Sequence, residues 1–482
     1  MTRLPTWLPI VAAAAAACAA GGARAERRGA TVLYASGADL QSMNPLITVH
    51  PLAKQVQRYV LLTTLARYDS ALIPRPYLAR VWRWSPDQRI LTFTLHRTVR
   101  WHDGRPTTAR DVAWTLNAAR NPDSGYPRLA ELAEIFFVDT PNDSTVVLRF
   151  AEPQTGFPDA LTDLAVLPAH LLDTVPLPLL RRAAWNAAPV GNGPFRFVAH
   201  EPNRRWVFEA NPDFPQALGG PPRLARFIVV VVDEPTTKLA ALAAGELDFA
   251  GIQPAHADYV RADPRLHVVD FPLLLTYGIV FNTRRPPFDD AAVRLAAALA
   301  LDRREIIDGY LFGFGQPADG PVPPEAPGYV APRPLPTAPD SARRLLHGRR
   351  VAFELLTVGS GEAALEQMVQ ARLHDVGFDV TIRQLELSTF LDRVYGSRRE
   401  FAAAVVGVTG DLALGHVATL AQLAGVRVPR DPAAAQRAFA QLHPVAFLYH
   451  ARGVVAMNRR VQGVRMDLRG DLPTVALWQA AP

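Results

Sequence analysis

The alternation of apolar and polar residues predicts strands and helices in regular succession along most of the chain. In residues 91–95 leucine and phenylalanine alternate with threonine, and residues 146–150 repeat this alternation with valine, leucine and phenylalanine. A period of two is typical of a strand with one buried face. Residues 227–232 form a continuous apolar run, which favours a strand that is buried on both faces.

Two stretches predict strand–helix units. After the strand at 227–232, Asp233, Glu234 and Pro235 suit a helix start, and Gly245 suits its end. In the second stretch, a strand at 351–358 and a Gly-Ser-Gly turn precede a helix whose apolar positions recur at helical spacing. These positions are Leu365, Met368, Val369, Leu373 and Val376. Gly377 suits a left-handed stop, and a strand at 378–382, a helix at 389–394 and a strand at 402–408 follow. The succession predicts an α/β fold.

A proline-rich segment separates these regions. Residues 321–339 contain eight prolines in nineteen positions. Proline lacks the backbone N–H that a helix interior or a central strand requires. The segment is therefore predicted to be an extended surface connection.

The amino-acid composition limits which classes of function and which kinds of site are expected. The 482 residues are 49% hydrophobic and 20% charged, which is compatible with large buried cores. The net charge is +6, but the basic residues occur as scattered arginines and arginine pairs, with Lys54 and Lys238 the only lysines. Because no long basic run occurs, nucleic acid is not expected as a partner. A single cysteine excludes intramolecular disulfides and multi-cysteine zinc sites.

The first 25 residues have the pattern of an export signal. Arg3 precedes an apolar stretch at residues 8–17, which is about half of what a membrane-spanning helix requires. Ala23-Arg24-Ala25 fits cleavage of a released protein. Alternatively, Cys18 stands where a bacterial lipoprotein signal places its lipidated residue, and the lack of any other cysteine favours this reading. Either way, a periplasmic or extracytoplasmic location is expected, with a lipid anchor in the second case.

One segment carries a family resemblance. Residues 95–116 read LHRTVRWHDGRPTTARDVAWTL. The Trp101-His102-Asp103-Gly104 turn followed by Ala109-Arg110-Asp111-Val112 resembles the signature of the family 5 extracytoplasmic solute-binding proteins of ABC transporters, the peptide, dipeptide and nickel receptors. Asp103-Gly104 suits a tight turn with a positive φ at glycine, and Asp111 suits a helix start.

Further segments follow in the order that the same family has. They are Ser42-Met43-Asn44-Pro45-Leu46, Pro189-Val190-Gly191-Asn192-Gly193-Pro194-Phe195, Asn211-Pro212-Asp213-Phe214, Ala244-Gly245-Glu246-Leu247-Asp248, and the series from Phe281-Asn282-Thr283 through Pro287-Phe288-Asp289-Asp290 and Val293-Arg294 to Leu301-Asp302-Arg303. The resemblance covers nearly the whole chain after the export signal.

The resemblance implies an α/β, two-lobed periplasmic-binding-protein fold, class II-like and of the type C cluster, with an extra α/β subdomain. Its lobe I would comprise residues 30–70, 186–283 and 444–482, and the extra subdomain residues 71–185. Lobe II would comprise residues 284–443, shortened near 412–432. The chain crosses between lobes more than once, which suits hinge closure around a ligand.

The resemblance also implies a ligand site. Peptide-binding members carry an aspartate at a strand end that pairs with the ammonium group of the ligand, and Asp411 matches this position. The residues expected to contact ligand are Asp411, Gly410, Thr409, Val408, Tyr277, Ser36 and Gly37. Val408 replaces the usual tryptophan, and Leu412-Ala413-Leu414-Gly415 departs from the usual pattern. The segment after Asp411 is shorter than is usual in the family. In the family this segment helps to wall the cleft, so its length affects the size of the pocket.

The leading functional hypothesis is a non-enzymatic, monomeric receptor. It would capture a short peptide or similar small solute and deliver it to ABC permease subunits in the cytoplasmic membrane. The alternative is an extracytoplasmic sensor or scaffold of the same fold without a transport role. An enzyme is not predicted, because the chain has no Gly-x-Ser-x-Gly elbow, His-Glu-x-x-His motif or phosphate loop. No catalytic residue, metal site or cofactor is predicted.

Overall fold

The structure, a computed structural model, describes residues 30–48, 50–412 and 414–481. The chain divides into two compact units. The first unit contains the described residues up to 253, residues 257–269 and the residues from 455 onward, and the second unit contains residues 254–256 and 270–454. Cys18 and the rest of the predicted export signal lie outside the described residues.

The strands of the described residues are β1 (Thr31–Ser36), β2 (Ala66–Tyr68), β3 (Pro74–Pro76), β4 (Ala79–Trp84), β5 (Ile90–Leu95), β6 (Ile135–Asn142), β7 (Thr145–Phe150), β8 (Phe195–Glu201), β9 (Arg205–Ala210), β10 (Arg226–Val231), β11 (Phe249–Gly251), β12 (Leu266–Phe281), β13 (Gly315–Pro317), β14 (Val351–Val358), β15 (Phe378–Leu385), β16 (Ala403–Thr409), β17 (Val445–Asn458), β18 (Val461–Gln462) and β19 (Gln479–Ala480).

The α-helices of the same residues are α1 (Pro51–Val56), α2 (Ala109–Arg120), α3 (Ala160–Asp163), α4 (Ala169–Leu172), α5 (Pro235–Ala243), α6 (Ala257–Ala262), α7 (Ala291–Ala300), α8 (Arg303–Tyr310), α9 (Pro339–Leu346), α10 (Ala364–Val376), α11 (Leu387–Tyr395), α12 (Gly415–Ala424) and α13 (Pro432–Leu442). Within the described residues, none of these helices has both the length and the apolar character that crossing a membrane would require.

The first unit is built on a mixed sheet. Parallel strands β10, β1 and β11 lie at its centre, and the hairpin β9–β8 continues it from β10 in antiparallel pairing. All six residues of β1 are buried, as are Phe227, Ile228 and Val229 of β10. Phe249 and Trp478 stack with ring centroids 4.7 Å apart. The continuous apolar run at 227–232 is therefore explained by burial on both faces.

A second sheet of the first unit forms the extra subdomain that the sequence predicts. Its strands follow the antiparallel order β4-β5-β7-β6. Leu91, Phe93 and Leu95 are buried while the threonines between them are half-buried, so the period of two in the sequence marks one buried face. Helix α2 packs against strands β6 and β7.

The Trp-His-Asp-Gly signature joins the subdomain to the neighbouring loops. Gly104 has φ +91°, as the predicted tight turn requires. Asp111 accepts hydrogen bonds from the N–H groups of Thr108 and Ala169 and, at 3.3 Å, from Nε1 of Trp101. The backbone N–H of His102 donates to the carbonyl of Gly191. The signature is therefore structural: it fixes a helix start and two loops around one buried carboxylate.

We expect the Trp101→Phe variant to lose about 1 kcal/mol of unfolding free energy, because it removes one hydrogen bond to a buried carboxylate and keeps an aromatic ring in place. Urea unfolding measures the change. Trp82→Phe is the control, since the Trp82 indole N–H has no hydrogen-bond partner among the described residues and its ring packs on Phe93. Equal losses in the two variants would contradict this account of the signature.

The second unit also contains a mixed sheet. Its order is β15-β14-β16-β12-β17, with β13 beside β17. Strand β14 is parallel to β15 and β16, and β16 is antiparallel to β12. The predicted helix is α10: Leu365, Val369, Leu373 and Val376 are buried, and Gly377 ends it with φ +115°. The βαβ prediction is therefore correct. The apolar residues of β14, α10 and β15, on whose spacing it is based, belong to one core.

The sequence predicts an extended surface connection at residues 321–339; residues 321–338 contain no helix or strand, but Val322 and Ala326 are buried, so part of the segment packs inward. Helix α9 begins at Pro339, where the ring restricts the backbone without costing an intrahelical hydrogen bond. Apart from the short excursion at residues 254–256, the chain passes between the units at 269/270, inside β12, and at 454/455, inside β17. The lobe boundaries taken from the resemblance, 283/284 and 443/444, fall at ends of the same two strands and stay a prediction.

Candidate functional site

Strand β16 has an open edge in the second unit. Its residues Ala403 and Ala404 pair with Leu355 and Leu356 of β14, and all seven of its residues pair with β12. Beyond Ala404, the edge that faces away from β12 has no strand partner among the described residues. Unpaired N–H and C=O groups along such an edge can accept an added strand.

Four of the predicted ligand residues lie at the end of this strand. Val408 is half-buried, Thr409 is exposed, and the N–H of Gly410 donates to the carbonyl of Leu274 at 2.6 Å. Asp411 follows, and 48% of its side chain is exposed. The turn is thus fixed to β12 on one side and leaves a carboxylate accessible beside the open edge.

The Asp411 carboxylate is held by the start of helix α12. It accepts hydrogen bonds at 3.0 Å from the N–H groups of Gly415 and His416. Burial alone would raise the pKa of Asp411, but the contact with His416 and these two N–H groups lower it to about 2. Asp411 is therefore ionised at neutral pH.

Tyr277 lies on β12 directly opposite Gly407 of β16. Its ring stacks on Tyr449 with centroids 4.9 Å apart, and a Cβ at Gly407 would lie 2.7 Å from Cζ of Tyr277. The ring is half-buried and packs against the core of the second unit. Because glycine has no Cβ, Gly407 leaves room for the ring of Tyr277 to lie across β16, beside the open edge.

Ser36 and Gly37 lie at the end of β1, in the first unit. Ser36 is 3% exposed, and its hydroxyl donates to the carbonyl of Ala38 at 2.6 Å, so this side chain bonds within its own loop. Gly37 is exposed. The Asp39 carboxylate accepts hydrogen bonds from Nε1 of Trp206 and from the N–H of Asn203, which fix the loop. The contact of Ser36 and Gly37 with a ligand stays a prediction.

The structure thus groups Val408, Thr409, Gly410, Asp411 and Tyr277 in one unit and places Ser36 and Gly37 in the other. Sequence reasoning missed Glu366, whose carboxylate accepts a hydrogen bond from Thr357 at 2.6 Å near the open edge. Acidic residues are common in the first turn of a helix, where they interact favourably with the helix dipole, so the sequence does not single out Glu366. Its burial does, because only 8% of the residue is exposed. Within the described residues, no group of three or more His, Cys, Asp or Glu side chains could hold a metal ion.

Comparison with known proteins gives concordant matches. Residues 74–424 match the protein family described as "Bacterial extracellular solute-binding proteins, family 5 Middle". A Brucella ovis protein, named provisionally as an ABC transporter peptide-binding protein, is 31% identical over 351 residues, which cover 69% of this chain and 64% of that protein. The chain therefore spans less than two thirds of the length of this relative. Di/tripeptide-binding protein 2 of Pseudomonas aeruginosa is 27% identical over 399 residues, 76% of this chain and 72% of that protein.

Solved structures agree in fold. The oligopeptide-binding protein AppA from Bacillus subtilis, in complex with a nonapeptide, has a TM-score of 0.73 and 22% identity, and the match covers 94% of this chain and 99% of AppA. At this identity the likeness shows the fold alone. The α/β, two-lobed periplasmic-binding-protein fold predicted from the sequence is confirmed.

Proposed function

Because the chain belongs to the bacterial extracellular solute-binding proteins of family 5, we propose that it is an extracytoplasmic receptor of an ABC importer. It captures a short peptide or a similar small solute and delivers it to permease subunits. The names of the Brucella and Pseudomonas relatives support peptide as the ligand and transport as the role, in preference to a sensor or scaffold.

The open edge of β16 carries the proposal. A peptide in extended conformation adds to such an edge through its own N–H and C=O groups, and this mode gives affinity without demanding particular side chains. Residues 405–409 offer the edge, and Gly407 and Thr409 on it are exposed. Such a contact suits a receptor for peptides of varied sequence.

Asp411 supplies the charge that such an edge lacks. Its ionised, half-exposed carboxylate lies two residues past the end of β16, where it can pair with the ammonium group of a peptide. Hydrogen bonds between charged groups are about twice as strong as neutral ones. The ammonium end of the peptide would then be fixed at Asp411, with Tyr277, Val408 and Thr409 beside the chain.

The receptor performs no chemistry on its ligand in this proposal. Its location is extracytoplasmic, reached through the export signal, with lipidation of Cys18 as the means of anchoring. We propose that it acts as a monomer that presents the ligand to the permease.

A panel of di- to tetrapeptides, measured by isothermal titration calorimetry and thermal unfolding, tests the function. We expect peptides to stabilise the protein, by about 2.7 kcal/mol at a ligand concentration one hundred times Kd, because a ligand that binds only the folded state adds to its stability. Sugars, free amino acids and nickel–histidine serve as comparison ligands. Stabilisation by none of the peptides would refute the proposal.

Peptides methylated on a backbone nitrogen test the strand-edge contact. Each methyl group removes one N–H donor and leaves the charges of the peptide unchanged. We expect at least one N-methyl position to abolish most of the affinity, since an edge contact depends on backbone donors. Equal binding by every N-methylated peptide would mean that side chains, and not the edge, hold the ligand.

A further inference from the structure

Glu366 is a buried carboxylate without a cationic partner. Only 8% of the residue is exposed, and it forms no ion pair with any described residue. One oxygen, Oε1, accepts the hydroxyl hydrogen of Thr357 at 2.6 Å. The other, Oε2, has no hydrogen-bond donor among the described residues. Buried glutamates are rarely left unpaired.

The carboxylate lies where two parallel strands separate. Thr357 is the first residue of β14 beyond the last pair with β16, Leu356 and Ala404. Helix α10 leads from β14 to β15 on one side, and β16 lies on the other. In open α/β sheets, ligands bind in the crevice at the carboxyl ends of strands at such a point of divergence.

Glu366 and the open edge share one face of the sheet. Thr357 lies on the same face as Leu355, whose partner is Ala403, so Val405, Gly407 and Thr409 also belong to this face. Tyr277, opposite Gly407, belongs to it as well. A strand added along β16 would direct every second side chain to this face, where the ring of Tyr277 lies over Gly407.

The surroundings favour a cation. Glu366 is in the first turn of α10, where the helix dipole stabilises a negative charge. Tyr310 is 38% exposed and close enough that burial and, next, the charge of Glu366 raise its pKa. Aromatic faces beside a carboxylate are a common environment for ammonium and guanidinium groups.

We propose that Glu366 binds a cationic side chain of the ligand, the ammonium of lysine or the guanidinium of arginine, at the crevice between β14 and β16. The assignment rests on the proposed function and narrows it to peptides that carry a basic residue. Thr357 orients the carboxylate, and Tyr310 and Tyr277 line the approach. The positive side chain is distinct from the terminal ammonium group assigned to Asp411.

Calorimetry with matched tripeptides tests the assignment. Lysine is placed at each of the three positions of an alanine tripeptide and compared with norleucine, which has a similar length and no charge. We expect lysine at one position to bind about tenfold more tightly than norleucine. In Glu366→Gln this preference should fall to about twofold or less, with the norleucine peptide unchanged. Glu362→Gln, an exposed acid four residues earlier, is the matched control and should keep the preference.

Each outcome decides. If peptides bind and the wild type shows no preference for lysine at any position, the assignment is wrong while the proposed function stands. This comparison uses only the wild-type protein, so it does not depend on whether a variant folds. If Glu366→Gln keeps the preference, another group recognises the cation and the assignment is again wrong. If neither these tripeptides nor any peptide of the di- to tetrapeptide panel binds, the proposed function fails, and the assignment with it.

Discussion

Replacing Asp163 by asparagine should lower the free energy of unfolding by about 3–5 kcal/mol, the largest effect on stability that we expect. Asp163 lies at the end of α3 with 13% of its side chain exposed. It pairs with Nζ of Lys54 at 2.9 Å, with Nη1 of Arg58 at 2.5 Å and with Arg128. An amide cannot balance three cations, so the variant leaves them partly buried and mutually repelling.

The loss should depend on pH. Burial alone would raise the pKa of Asp163, but the charges of Arg58, Lys54 and Arg128 hold it well below its ordinary value. A carboxyl whose pKa is lower in the folded state contributes its full stability above the unfolded-state pKa of about 4 and loses it as the pH falls toward the folded-state pKa. The difference between wild type and Asp163→Asn should therefore be constant from pH 5 to 7 and shrink below pH 4.

Urea unfolding at several pH values measures both effects. Asp213→Asn is the control, because the Asp213 side chain is 80% exposed and its ion pair with Arg196 lies in solvent. We expect little change in this control at any pH. A loss of similar size in both variants, or one that does not diminish in acid, would show that the three cations do not depend on Asp163.

Replacing Asp411 by alanine should weaken peptide binding by more than about 2 kcal/mol, roughly thirtyfold, if its carboxylate meets the ammonium group of the ligand. Alanine also removes the acceptor for the first N–H groups of α12, which should cost about 1 kcal/mol of stability. Asparagine keeps one oxygen as acceptor and replaces the other with an NH2 group, so it removes the charge and one of the two hydrogen bonds. We therefore expect Asp411→Asn to lose affinity nearly as much as Asp411→Ala while losing less stability than Asp411→Ala.

Calorimetry and thermal unfolding of the two variants separate the roles of Asp411. An N-acetylated peptide, which lacks the terminal ammonium group, should bind wild type and Asp411→Asn with similar affinity. Unchanged affinity of Asp411→Asn for a free peptide would place the anchor elsewhere and reduce Asp411 to a helix cap.

The secondary structure could be predicted where one local pattern reports on one core. Strand β14 at 351–358 and the stop at Gly377 follow from the sequence, because alternation, helical spacing and a left-handed glycine each depend on nearby residues. The passages at 269/270 and 454/455 fall inside β12 and β17, where nothing in the local pattern changes. Their positions depend on contacts between distant segments, which a single sequence does not reveal.

The candidate site shows the same limit. Asp411 could be identified from its place after a strand, since the family resemblance marks it. The open edge of β16 could not, because it exists only where β14 turns away after Leu356. Glu366 looks like an ordinary helix-start acid in the sequence, and its burial beside Thr357 depends on a strand that comes before the helix. These features depend on strand pairing, and side-chain patterns carry little information about it.

The open edge of β16 has an evolutionary consequence. Its docking groups are peptide units, which every residue except proline supplies in the same form. Val405 and Val406 are buried and position 407 must leave room for the ring of Tyr277, so within residues 405–409 only positions 408 and 409 can vary widely while the backbone groups of the edge stay the same. In the proposed mode of binding, a change of ligand preference therefore has to come from side chains beside the edge, while the backbone contact itself is unchanged.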